Sequence, residues 1–153
     1  MPTGGPGTPT NRNSTDVPKA IPDDNATGVT SNLVLSGAGV IQDLDVRIPS
    51  LDHTYDSDLT IALIAPDSTT VLLSNHRGGS GDNFTNTVFD DEAATAISAG
   101  VAPFSGSFRP EQPLSAVDGI PAAGTWKLKV VDSVAADTGT LAAWGVRETR
   151  PGC

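Results

Sequence analysis

Cysteine occurs once, as Cys153, so no disulfide can close within the chain, and the fold must hold by packing, with a metal as the other source of help. Basic residues are also few. Nine Lys plus Arg stand against 18 Asp plus Glu, for a formal net charge of -9 at pH 7, and no stretch gathers Lys or Arg. A nucleic-acid partner would need a basic footprint and is excluded. No apolar run approaches the roughly 20 residues of a membrane helix, so no membrane partner is expected. The N-terminus lacks the charged start and apolar stretch of a secretory signal. In a secreted protein this implies that Met1 begins a piece of a longer chain. Helix formers are scarce too: Gly, Pro, Ser, Thr, Val and Asp outweigh Leu and Ala, which favours strands and turns.

What is present fits one domain, since 153 residues suffice for one real core and not for two. Residues 1–15 are rich in Pro, Gly and Thr, offer nothing to bury, and read as a tether. From Val17 onward, short apolar alternations are separated by turn signals about every eight to fifteen residues, the spacing of an all-β sandwich. Leu33 and Leu35 are expected to begin one strand. Leu44, Val46 and Ile48 face one side of the next, Asp43, Asp45 and Arg47 face the other, and Pro49 closes it. Leu59, Ile61 and Leu63 repeat the pattern, and the Pro66-Asp67-Ser68 turn leads to Val71, Leu72 and Leu73 in a hairpin. Trp126, Leu128 and Val130 form another inward stripe; Trp144 and Val146 form the last. Leu141 is out of parity with Trp144, so either a bulge shifts the register or Leu141 packs ahead of the strand.

Residues 76–123 lose alternation and read as loop, with a short helical turn expected over 91–97. A connection of that length in a compact domain is functional or metal-organised when it is not disordered. Phe84, Phe89, Phe104 and Phe108 argue against disorder, because four aromatics need a dry place.

A Ser-His-Asp triad is arithmetically possible from His53 and His76, but no Gly-x-Ser-x-Gly elbow occurs, and Gly78-Gly79-Ser80-Gly81 is too flexible to hold a nucleophile. His53 is expected to hydrogen-bond within its turn, and His76 to end the hairpin. No Cys pair or His spacing suggests zinc. Calcium is the better chemical expectation, because hard cations take carboxylate and carbonyl oxygens from loops and Asp is concentrated at strand ends. The candidate ligands are Asp56, Asp58, Asp82, Asp90, Asp91 and Asp132. If the fold gathers these ends, repulsion between the carboxylates calls for a cation. The competing reading is that each Asp caps its own turn. Asp43 and Asp45 are expected to be solvated charge. The tryptophans begin inward stripes and read as core rather than as a sugar-binding platform.

Asp58-Leu59, Leu63 and Pro66-Asp67 in this spacing, then Gly124-Thr125-Trp126 with Asp132, then Gly139-Thr140-Leu141 with Trp144, resemble the P domain (Homo B domain) that follows the catalytic domain in proprotein convertases and secreted bacterial proteases. Ile21-Pro22-Asp23, Phe108-Arg109-Pro110 and Pro113-Leu114-Ser115 look like bacterial versions of the same family. Ser68 stands where the family often has Gly, and Gly145 where a bulkier residue is usual; both are taken as harmless, Gly145 as an exposed strand position. The resemblance covers residues 16–149, leaving 150–153 as a tail. It implies an antiparallel β-sandwich of jelly-roll type and a non-catalytic, extracellular role. That role is accessory to a catalytic protease domain in the same parent chain, a serine endopeptidase for preference, with support of its folding or capture of a protein substrate such as collagen. The alternative is a stand-alone carbohydrate-binding or adhesion module. Three glycosylation acceptor patterns begin at Asn13, Asn25 and Asn83 and carry no meaning in a bacterial chain, which the composition suggests.

Overall fold

The computed structural model describes residues 9–135 and 139–150. Residues 1–8 of the expected tether and Cys153 lie outside them. Ten strands follow in order: β1 (Thr10–Asn13), β2 (Lys19–Ile21), β3 (Asn25–Leu35), β4 (Asp43–His53), β5 (Leu59–Ile64), β6 (Thr70–Asn75), β7 (Phe84–Phe89), β8 (Gly106–Phe108), β9 (Gly124–Asp132) and β10 (Gly139–Thr149). Among the described residues the helical segments are 3-10 turns of three or four residues. One sheet runs β1-β10-β4-β7-β8, with β2 also against β10, and the other runs β3-β9-β5-β6. The fold is all-β, in two layers. Pairing is antiparallel except where β8 joins β7 in parallel, which makes the larger sheet mixed.

Period-two alternation explains the core. Leu44, Val46 and Ile48 of β4, Leu59, Ile61 and Leu63 of β5, and Trp126, Leu128 and Val130 of β9 are all buried. Each sheet thus turns one greasy face inward, and burial of that apolar area is the main stabilising term. The four phenylalanines are buried as well. Phe104 stacks on Phe84 with ring centroids 4.8 Å apart and meets Phe108 edge-on at 5.8 Å, so the loop-rich region has its own aromatic core.

Several local expectations change. Thr10–Asn13, placed in the tether, forms β1 by pairing with the far end of β10, and Ser14 is buried. Leu33 and Leu35 end β3 instead of beginning it. Pro49 does not close β4: the strand continues to His53, because Pro49 sits where the pairing with β10 skips a residue and needs no ladder donor. A further register shift lies beyond Leu141, so a bulge lets Leu141 and Trp144 both point inward. The region 76–123 contains β7 and β8, and in place of a helical turn over 91–97 there is a non-helical turn at 91–92, with a 3-10 turn beginning only at Ile97.

Gly145 is buried and not exposed, since a Cβ there would lie 2.3 Å from the Arg12 carbonyl oxygen of β1. Ser68 adopts φ 75°, the left-handed region that explains a glycine preference at that turn. Arg150, placed in the tail, forks onto the buried Glu148 carboxylate and reaches the Ala38 carbonyl.

Phe84→Ala would remove the stacked partner of Phe104 from a site with no exposure. Urea unfolding is expected to show a loss of about 3–5 kcal/mol with the denaturant slope retained. A loss below about 1 kcal/mol would mean that the loop aromatics are not part of the core.

Candidate functional site

The polar centre lies where β4 of the larger sheet ends beside the end of β9 of the smaller one. His53, the last residue of β4, is buried, and its Nε2 lies 2.9 Å from Oδ2 of the buried Asp132. The Tyr55 N–H donates to His53 Nδ1 at 3.1 Å, so the ring proton sits on Nε2 and is given to Asp132. The other Asp132 oxygen accepts the Val134 N–H. His53, Asp58 and Asp132 each place a potential ligand atom within 4.8 Å of the others. As a metal centre this set fits poorly: both ring nitrogens are engaged, and calcium favours oxygen over nitrogen. Its plain role is a hydrogen-bonded tie between the two sheets.

Around this tie folds the segment 76–83. The Asn83 side-chain oxygen accepts the His53 N–H, while the Asn83 N–H donates to the His53 carbonyl, each at 3.0 Å. The Asp56 N–H reaches the Gly81 carbonyl at 2.9 Å, and the Ser57 N–H reaches that of Gly79 at 3.2 Å. Gly78, at φ 100°, passes so close that a Cβ would lie 2.8 Å from the Asp56 Cβ. Asp56 is thereby sealed from solvent, and neither of its carboxyl oxygens has a hydrogen-bond partner. Burial pushes its pKa up to about 8; the nearby Asn83 N–H offsets this in part, although that N–H is already given to His53, and the charge of Asp82 adds to the rise.

The six acids expected as candidate calcium ligands fall into two groups. Asp56, Asp58 and Asp132 lie at this end with Asp82, which is exposed on the 76–83 segment. Asp90 and Asp91 lie beyond the other end of β4. Asp91 accepts the Leu114 N–H at 2.7 Å and the Ser115 N–H at 2.8 Å, and Asp90 accepts the Glu92 N–H at 2.9 Å. Asp90 thus caps its own turn, as the competing reading held, whereas Asp91 holds a distant turn at Leu114 and Ser115.

Asp43 and Asp45 are not simply solvated. Both are half-buried, and Val46 pairs with Phe89 across β4 and β7, which sets Asp45 beside Asp90. Burial first, then the charges of Asp90 and Asp43, raise the Asp45 pKa to about 7. Burial and the same acids raise Glu92 to about 7, and Asp118 is shifted upward by burial and by Asp43 and Asp91. His53, Asn83, Asp43, Asp45 and Glu92 are therefore site residues that the sequence reading did not assign to a site. His76 ends the hairpin as expected, with its Nδ1 at 2.7 Å from the Ser57 carbonyl.

Both indoles are core residues, Trp126 giving its N–H to the Ala122 carbonyl and Trp144 to Ser31 Oγ. Neither can serve a sugar. Residues 41–148 match the proprotein convertase P-domain. The chain belongs to that family. This P domain is 31% identical over 130 residues to leupeptin-inactivating enzyme 1 of Streptomyces exfoliatus, covering 82% of the chain and 23% of that protein. It is 34% identical over 135 residues to the transglutaminase-activating metalloprotease of Streptomyces mobaraensis, covering 86% of the chain and 14% of that protein. The chain thus spans under a quarter of the length of these curated relatives. The crystal structure of the Aeromonas sobria serine protease in complex with the chaperone ORF2 superposes with a TM-score of 0.60 at 19% identity, over all of this chain and 27% of that one. That likeness supports the P-domain fold.

Two outcomes test this site. His53→Ala strips a buried Asp132 oxygen of its donor and opens a cavity, and is expected to destabilise by about 3–5 kcal/mol in chemical denaturation. A cost near zero would show that the tie between the sheets contributes nothing. At the other end, the raised pKa of Asp45 means that the native state holds a proton that the unfolded chain has released. Stability from this group is full below about pH 4 and is lost as pH climbs to about 7. Asp45→Asn should flatten that decline, gaining on the order of 1 kcal/mol at pH 8 once solvent screening is allowed for. Parallel stability curves for the two proteins between pH 5 and 8 would contradict it.

Proposed function

We propose that this P domain is a non-catalytic accessory domain of a secreted endopeptidase, carried C-terminal to the catalytic unit. There it supports that unit's folding and stability and engages its protein substrate. The observation that carries the reading is the match of this one domain to a minor part of two longer proteins, one a metalloprotease by name, together with a polar centre closed to substrate. Both His53 ring nitrogens are engaged, the His76 Nδ1 is held by the Ser57 carbonyl, and among the described residues no serine hydroxyl is hydrogen-bonded to either ring, so no serine–histidine pair is assembled. A domain that docks only on the folded catalytic unit stabilises it by mass action, and needs no reactive group for that purpose.

The test compares the full parent protein with a form lacking this domain. Deletion is expected to lower the yield of active enzyme or shorten its half-life at elevated temperature severalfold, and the isolated domain is expected to bind insoluble collagen in preference to polysaccharide. Class-directed inhibitors applied to the parent separate a serine from a metal-dependent catalytic unit, with the serine class expected. A truncated enzyme that folds, survives heating and degrades protein as well as the full chain would refute the accessory role.

A further inference from the structure

We infer that Asp56 and Asp82 form a calcium site, with Asp56 as its buried inner ligand and the 76–83 segment as its cover. The inference does not depend on the accessory role. It rests on how the six acids are partnered. Asp90, Asp91 and Asp132 accept backbone N–H groups, and Asp132 also accepts a hydrogen bond from His53 Nε2. Asp56 alone among the six has no exposure and both carboxyl oxygens without a hydrogen bond.

A buried carboxylate in that state is costly, by several kcal/mol even after relaxation, and structures relieve such a cost with a proton or a cation. The surroundings favour a cation. A second carboxylate, Asp82, lies close enough for its charge to act on Asp56. The Gly79 and Gly81 carbonyls already face the Asp56–Ser57 turn, accepting one N–H each, and every carbonyl oxygen has a second lone pair to offer. These donors are all hard oxygens on a loop, with no sulfur, and the nearest imidazole is committed elsewhere. Calcium accepts such irregular oxygen shells at variable coordination number, whereas magnesium demands a near-ideal octahedron and zinc prefers nitrogen and sulfur.

The segment that would cover the ion is also shaped for close approach. His76, Gly78, Gly79 and Asn83 have positive φ, which folds the chain back over Asp56. Gly78 leaves room only for hydrogen beside the Asp56 Cβ and the Phe104 ring. The ion would therefore join the aromatic core to the polar tie at one end of the sandwich.

The experiment titrates calcium chloride into chelator-treated protein, read by calorimetry and by thermal unfolding. The wild type is expected to bind calcium at this site and to unfold at a higher temperature when saturated. Asp56→Asn and Asp82→Asn should each weaken that affinity at least about tenfold. Asp90→Asn, in the other acidic group, should leave it unchanged. No calcium uptake by the wild type would show that Asp56 holds only a proton and would overturn the site. Undiminished affinity in either Asp56→Asn or Asp82→Asn would overturn it too, as would a loss confined to Asp90→Asn. If Asp56→Asn fails to fold, the exposed Asp82→Asn variant decides alone.

Discussion

Two buried hydrogen bonds that cross the core set how the sheets of this domain sit on one another. Apolar burial supplies most of the stability but is indifferent to direction, so a sandwich held by it alone could slide. The His53 to Asp132 bond joins β4 to β9, and the Trp144 to Ser31 bond joins β10 to β3. Ser31 Oγ in turn donates to the Asp16 carbonyl, and Ser14 Oγ to the Asn32 carbonyl, which seats the segment after β1 against the smaller sheet. In a low-dielectric interior each partner left bare would cost more than the bond gains when made. Misaligned packings are penalised for that reason.

The same tie organises the loop that closes the site. Asn83 grips the backbone of His53 through both its side chain and its N–H, so once His53 is fixed the 76–83 segment has one place to lie. That placement is what seals Asp56 away from water. The burial of this carboxyl is therefore a consequence of register between sheets and of a loop anchored on a strand end, and the local Asp-Ser-Asp sequence contributes only the residue.

Strand sidedness in β5, β9 and the first half of β4 was legible because nothing interrupts the period of two there, whereas in β4 it changes phase at Pro49 and Ser50. β7 escaped because Asn86, at φ 50°, breaks its alternation: Phe84 and Phe89 are an odd number of residues apart and both point inward. Proline at position 49 looked like a stop because a ladder position needs an N–H, and only the pairing with β10 reveals that this position has no such duty. The site was half legible. Asp concentrated at strand ends was visible, as was the turn role of His53. Its link to Asp132 spans 79 residues and leaves no local trace. Asp43 and Asp45 looked solvated because a single strand shows only its own faces. Their neighbours Asp90 and Glu92 arrive through the β4 to β7 pairing, which the loop reading of residues 76–123 concealed.

The two acidic ends are electrostatically separate. From Asp45 to His53 the strand advances eight residues, about 26 Å at a rise near 3.3 Å per residue, against a screening length of about 8 Å at physiological ionic strength. The net charge of -9 is thus not one field but two local problems. At the Asp45 end the aspartates are half-buried and repel one another, and Asp90 and Asp91 cap turns. At the Asp56 end Asp56, Asp58 and Asp132 are all buried, Asp56 with neither carboxyl oxygen hydrogen-bonded, while Asp82 lies on an exposed loop. Repulsion among half-buried acids is tolerated as a modest pH-dependent cost. Full enclosure of a carboxyl with neither oxygen partnered costs more, and that difference, rather than the number of acids, separates the two ends.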